Sequence, residues 1–115
     1  MTNGASFEIT DSGQPGVRVL GVRGEIDVAT SPEMRCHLVE MLADRPELVI
    51  VDLTDVTFID STGLGVLVEA VTTARAGDGD LRLVVTQPKI IKLIELTGLD
   101  QVFSVVSSAN QAVGS

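Results

Sequence analysis

Several residue types are scarce in this chain, and each scarcity removes a class of function. Cys36 is the only cysteine, so an intramolecular disulfide and a thiolate metal cluster are both excluded. Trp and Tyr are absent and Phe occurs three times, which weighs against sites that stack sugars, nucleobases or flavins on aromatic faces. Basic residues number 8 against 16 acidic ones, a formal net charge of −8. With no basic stripe, direct nucleic-acid binding is not expected, and an anionic membrane surface should repel the chain. No apolar run reaches the ~20 residues of a membrane span. Met1 to Ser6 lacks the charged start and apolar core of a secretory signal, so the expected location is cytoplasmic. The negative charge serves solubility and would attract a partner with a basic contact surface.

What is present is aliphatic. Apolar residues make up 44% of the 115 positions, enough for one core in one domain. Residues 7–10 can form a short strand, Asp11 to Gly16 supply turn residues, and Val17 to Arg23 read as a second strand able to pair with the first. Gly24-Glu25-Ile26-Asp27 reads as a loop. Ser31 can then cap a helix with Pro32 at its first position and Glu33 at its positive end. Met34, Leu38, Met41 and Leu42 share one face of that helix, which should stop near Asp44-Arg45-Pro46. Leu48 to Leu53 is a run suited to a strand buried on both faces. After a further loop, Leu64, Leu67, Val68, Val71 and Ala74 mark a second helix. Gly77 to Asp80 form a turn, and 81–85 another strand. Pro88 opens a third helix bearing Ile90, Ile91, Leu93 and Ile94, with Gly98 as its stop. A short strand at 102–106 ends the series. The order β-β-α-β-α-β-α-β predicts an α/β domain: a mixed, mostly parallel sheet of four to five strands with helices packed on it.

Sites in such sheets gather beyond the carboxyl ends of the parallel strands. One loop at that edge carries Glu25 and Asp27. A second carries Asp55, Thr57, Asp60 and Ser61, and Thr86-Gln87 leaves the next strand there. Ser61 is a poor hydrolase nucleophile: it lacks the Gly-x-Ser-x-Gly elbow, and the only candidate base is His37. Gly63-Leu64-Gly65 is too short for a phosphate-loop fingerprint. Asp52 and Asp55 are a carboxylate pair of the kind that more often solvates a turn than holds a metal. No catalytic residue, metal site or cofactor is assigned. Ser61 before a helix is also an ordinary N-cap. Two glycines in the first turns cost about 0.8–1 kcal/mol each against Ala. That is readily accepted where bare backbone must touch a partner or pack tightly on a neighbour; the residues alone leave both readings open.

The run Val51-Asp52-Leu53-Thr54-Asp55-Val56-Thr57-Phe58-Ile59-Asp60-Ser61-Thr62-Gly63-Leu64-Gly65-Val66-Leu67 closely resembles the signature of bacterial anti-sigma factor antagonists, the STAS domain family. Gly24-Glu25-Ile26-Asp27-Val28-Ala29-Thr30 resembles the family's second marker, and Thr86 to Leu99 its third βα unit. The resemblance implies a STAS domain over 7–106, between a flexible N-terminus at 1–6 and a C-terminal tail at 107–115 that is shorter than the final helix of many relatives. It also implies a switch rather than an enzyme. In that family the serine after the motif's aspartate is phosphorylated by an anti-sigma factor that is itself a serine kinase. Carried over, the acceptor is Ser61, with Thr62, where some relatives have serine, as a second hydroxyl. The unphosphorylated form binds the anti-sigma factor and frees the sigma factor; a metal-dependent serine phosphatase restores that form. The implied partner-binding residues are Asp27, Asp60, Ser61, Thr62, Gly63, Leu64 and Gly65. STAS domains also act as scaffolds in stress-signalling complexes and as accessory subunits of lipid transporters. A nucleotide or small-ligand sensor at the same edge is a further alternative.

Overall fold

A computed structural model of the chain describes residues 7–107. The flexible N-terminus expected at 1–6 and nearly all of the expected tail lie outside the described residues. The first pair of strands, β1 (Glu8–Gln14) and β2 (Val17–Ile26), is an antiparallel hairpin. It closes through Pro15-Gly16, with Gln14 opposite Val17. Asp11 to Gln14, expected in the turn, instead continue β1, because only two residues are needed to reverse the chain.

The rest alternates: α1 (Ser31–Ala43), β3 (Leu48–Ile59), α2 (Ser61–Ala76), β4 (Asp80–Val84), α3 (Pro88–Leu96), a 3-10 turn at Leu99–Gln101 and β5 (Ser104–Val106). The sheet runs β1-β2-β3-β4-β5 with every pair after the hairpin parallel. The α/β class and the mixed, mostly parallel five-stranded sheet are as expected.

Each crossover advances one strand in the same direction, so right-handed connections stack the helices on one face. The main core is there. Val49, Val51, Leu53, Leu81 and Leu83 meet Met34, Leu38 and Met41 of α1 and Leu67, Ala70 and Val71 of α2. Ile50 and Val84 point the other way and form a smaller cluster with Val17, Val19 and Leu48. Among the described residues no buried side-chain polar atom lacks a partner.

Two elements run further than their patterns predict. β2 extends through Gly24-Glu25-Ile26, and β3 through Thr54 to Ile59. Both extensions follow from bulges. The β2–β3 register slips between Gly21 and Arg23, and again between Gly24 and Glu25, each time with one extra residue on β3. Gly24 takes φ 102° at the second slip, a conformation open to glycine and strained for other residues. Each extra residue moves the next inward position from two residues away to three. The buried residues are therefore Leu53, Val56 and Ile59, a spacing that suits neither a regular strand nor a helix.

The helix starts also differ from expectation. Thr30, not Ser31, is the N-cap of α1, and Ser31 is buried inside its first turn. Asp60, not Ser61, is the N-cap of α2.

Candidate functional site

β4 pairs with β3 only across Leu48 to Asp52. Beyond Asp52, β3 is held by β2 alone, and the two strands project together as a ribbon ending in the register pair Ile26 and Ile59. The next residues are Asp27 and Asp60, which sit side by side at the ribbon's tip. The Asp60 amide donates to the Ile26 carbonyl at 3.1 Å, fixing the two chain exits to one another.

Both aspartates accept from backbone amides of the residues that follow them. The Asp27 carboxylate accepts from the amides of Ala29 at 2.9 Å and Thr30 at 3.1 Å. The Asp60 carboxylate accepts from the amides of Thr62 at 2.9 Å and Gly63 at 3.2 Å. Asp60 has φ −108° and ψ −175°, the extended backbone that lets an N-cap side chain turn back on its helix. The Asp60 carboxylate thus occupies donors that a helix start leaves unpaired, while Asp27 closes the turn that leads into α1, which has no side-chain cap of its own.

That arrangement leaves Ser61 without a structural task. It is exposed at the first position of α2, and its side chain has no hydrogen-bond partner among the described residues. Thr62 is exposed beside it. The two glycines separate cleanly. A Cβ on Gly63 would stand 2.5 Å from Ile26 Cγ2 and 2.9 Å from Ile59 Cγ1. Internal packing therefore accounts for Gly63: the helix presses its bare backbone onto the ribbon's last apolar pair. A Cβ on Gly65 would meet nothing within 4 Å, so nothing inside the described fold requires glycine there. Leu64 is buried at 5% exposure and belongs to the core rather than the surface.

The other polar residues expected at this edge go elsewhere. Asp52 accepts from the Thr54 amide at 3.0 Å and from the Thr54 hydroxyl, which braces the first bulge. Asp52 and Asp55 line a separate cavity of about 230 Å³ with Glu8, Thr10, Gly21 and Arg23. Among the described residues no group of three or more His, Cys, Asp or Glu side chains could hold a metal. Gln87 reaches the ribbon only through a 3.5 Å contact from its amide to the Thr54 carbonyl. His37 is half-buried on α1 and no hydrogen bond joins it to Ser61.

Three participants carried no clear sequence signal. Thr30 wires the Asp27 loop, its hydroxyl donating to the Glu25 carbonyl at 2.8 Å and accepting from the Asp27 amide at 2.9 Å; the spacing Asp27-x-x-Thr30 was the available hint. Val28 and Phe58 are 72% and 47% exposed, large apolar side chains beside the two aspartates. Among the described residues no helix is long and apolar enough to cross a membrane.

A projecting ribbon, a loop-closing aspartate, a capping aspartate and an unburdened serine at the start of α2 are arranged on the fold of a known class. The chain belongs to the STAS domain family, whose pattern matches residues 8–112. Within that family the relatives it resembles at 33% identity over most of its length are anti-sigma factor antagonists. It is 33% identical to the anti-sigma-F factor antagonist RsfB of Mycobacterium tuberculosis over 94% of this chain and 88% of that one. It is also 33% identical to the anti-sigma-B factor antagonist of Bacillus subtilis, over 82% of this chain and 85% of the relative. The crystal structure of an anti-sigma factor antagonist from Mycobacterium paratuberculosis superposes with a TM-score of 0.88 at 29% identity, covering 98% of this chain and 96% of that one.

Proposed function

We propose that this chain is a phosphorylation-controlled antagonist of an anti-sigma factor: a binding partner and kinase substrate, not a catalyst. In this reading the unphosphorylated form docks its Asp27, Asp60, Ser61, Thr62 and Gly65 surface on an anti-sigma factor with serine kinase activity, and the sigma factor is released. Phosphorylation of Ser61 ends the interaction, and a metal-dependent serine phosphatase renews it. The observation that carries the reading is the exposed Ser61 hydroxyl, relieved of capping by Asp60 and held at the helix start in the position that matches the family's acceptor. Gly65 supports it, since an open glycine on an exposed helix surface suits close approach of another backbone.

The switch is electrostatic and local. A phosphate adds about −1.5 to −2 charge at neutral pH. A helix N-terminus ordinarily welcomes an anion. Here the Thr62 and Gly63 amides are already taken by Asp60, so the new charge stands beside two carboxylates with few free donors. Ser61 is exposed and bears no cap, so the added group meets water and the fold survives. The penalty falls on the complex, where the phosphate would be desolvated against a partner. A loss of ~3–4 kcal/mol weakens binding by two to three decades.

The decisive measurement is intact-protein mass spectrometry after incubation with candidate anti-sigma kinases and ATP. One phosphate per chain is expected, located at Ser61 and absent from Ser61→Ala, which should still bind the kinase. Stoichiometric phosphate on Ser61→Ala would move the acceptor to Thr62. Ser61→Asp should lose binding while keeping its circular-dichroism spectrum and cooperative melt; a collapsed spectrum would refute a purely local switch.

A further inference from the structure

The chain has only two lysines, Lys89 and Lys92. Both are exposed on α3, and neither has an ion-pair partner among the described residues. Four of the six arginines are used differently: Arg18, Arg23, Arg35 and Arg75 are each paired with a carboxylate. On a chain with twice as many acidic as basic residues, two unpaired ammonium groups one helical turn apart stand out.

Their neighbours are apolar. With 100° per residue, Lys89, Lys92, Leu93 and Leu96 lie within one side of α3. Leu96 is 74% exposed and Leu93 half-buried. Between this helix and the projecting ribbon runs a groove of about 210 Å³ lined by Thr57, Phe58, Ile59, Lys89, Ile90 and Leu93. Ile59 and Ile90 are its buried floor, and Phe58, 47% exposed, is its open wall. Ile59 is also the residue against which Gly63 packs, so the groove borders the Ser61 surface directly.

We infer that this groove is a second docking site for the protein partner and takes an acidic segment anchored by apolar side chains. The inference rests on the reading of the chain as an anti-sigma factor antagonist and adds a contact to it. Charge complementarity selects the occupant. An acidic segment is repelled by most of this surface and attracted where Lys89 lines the groove beside Phe58 and Leu93 and Lys92 stands one turn further along α3. The ribbon's tip, with Asp27 and Asp60, favours basic groups. A partner must therefore present basic groups to the tip and acidic groups to the groove. That pairing of opposite signs at two neighbouring places fixes its orientation.

The test titrates the isotopically labelled full chain with a short synthetic peptide alternating Leu and Glu, followed by amide chemical shifts. Saturable shifts are expected at Phe58, Lys89 and Leu93, weakening as salt is raised. The double variant Lys89→Glu/Lys92→Glu, altered only at exposed positions, should bind at least about tenfold more weakly with its other resonances unmoved. The titration uses the unmodified chain and no kinase, so its outcome is independent of whether Ser61 is the acceptor. The inference is overturned by the absence of saturable shifts, or by equal binding of the peptide with Lys in place of Glu. Unchanged binding by the double variant would overturn it too, as would shifts at these residues with phosphatidylglycerol vesicles but not with peptide.

Discussion

The two halves of β3 follow different rules. From Leu48 to Asp52 the strand has a parallel neighbour on each side and an unbroken register, and Val49, Ile50 and Val51 are wholly buried. From Leu53 to Ile59 it is paired on one side only and bulged twice, and four of its seven side chains, Thr54, Asp55, Thr57 and Phe58, face solvent. The inner half is a beam of the fold. The outer half reaches past the sheet and carries the start of α2 to an accessible place. Bulges commonly re-aim side chains in this way, and the comparison shows how one continuous strand can supply both core and exposed site.

The largest expected effect comes from treating the halves alike. Val51→Asp would bury an unpaired carboxylate at a position with 0% exposure, costing about 4 kcal/mol or more and abolishing the cooperative melt followed by circular dichroism. The same aspartate at exposed Thr57 should shift stability by less than about 1 kcal/mol. Equal damage at both positions would erase the distinction.

Smaller effects sharpen the comparison where the outer half meets α2. Gly63→Ala places a methyl 2.5 Å from Ile26 Cγ2. Overpacking of about 1–3 kcal/mol outweighs the gain in helix propensity of about 1 kcal/mol, so thermal stability should fall by up to about 2 kcal/mol. Gly65→Ala meets no neighbour and should raise stability by up to about 1 kcal/mol while weakening the anti-sigma partner in a pull-down titration. Opposite signs for two glycines two residues apart would separate packing from docking.

The smallest effect concerns the clasp lower on the helices, where Arg35 donates to Glu69 at 2.8 and 3.2 Å. The hydrogen bond from Arg35, and then its charge, holds the Glu69 carboxyl below the ordinary carboxylate range. A depressed carboxyl contributes stability above its unfolded value, about 4.3, and loses it as pH falls through the folded value. Glu69→Gln should therefore flatten the acid side of the melting-temperature profile slightly and leave neutral pH almost unchanged, since exposed pairs contribute little.

The inner half of β3 is easy to read in the sequence, because Leu48 to Leu53 is a continuous apolar run of strand length. The outer half is not. Two bulges space Leu53, Val56 and Ile59 three residues apart, and pattern reasoning mistakes the stretch for a loop. Gly24 misleads for the same reason: a glycine at φ 102° usually marks a turn, but here it sits within a strand. At the tip, the residues Asp27, Asp60 and Ser61 are legible and their proximity follows from strand order. The division of work between them is not. Asp and Ser cap helices almost equally well, so composition cannot say that Asp60 takes the amides and Ser61 takes none. Phe58 and the lysine side of α3 escape notice because each is unremarkable until the ribbon and the helix are laid together.

The cap on α2 belongs to Asp60 alone, and this has a kinetic meaning. A hydroxyl that closes no turn and fills no cavity can be modified and restored without any rearrangement of the chain. In the proposed cycle the lifetime of each state would be set by the enzymes that add and remove the group, not by a folding barrier. Under the proposed phosphorylation, position 61 would be a writable site on a permanent support, because its neighbour's carboxylate holds the helix start in both states.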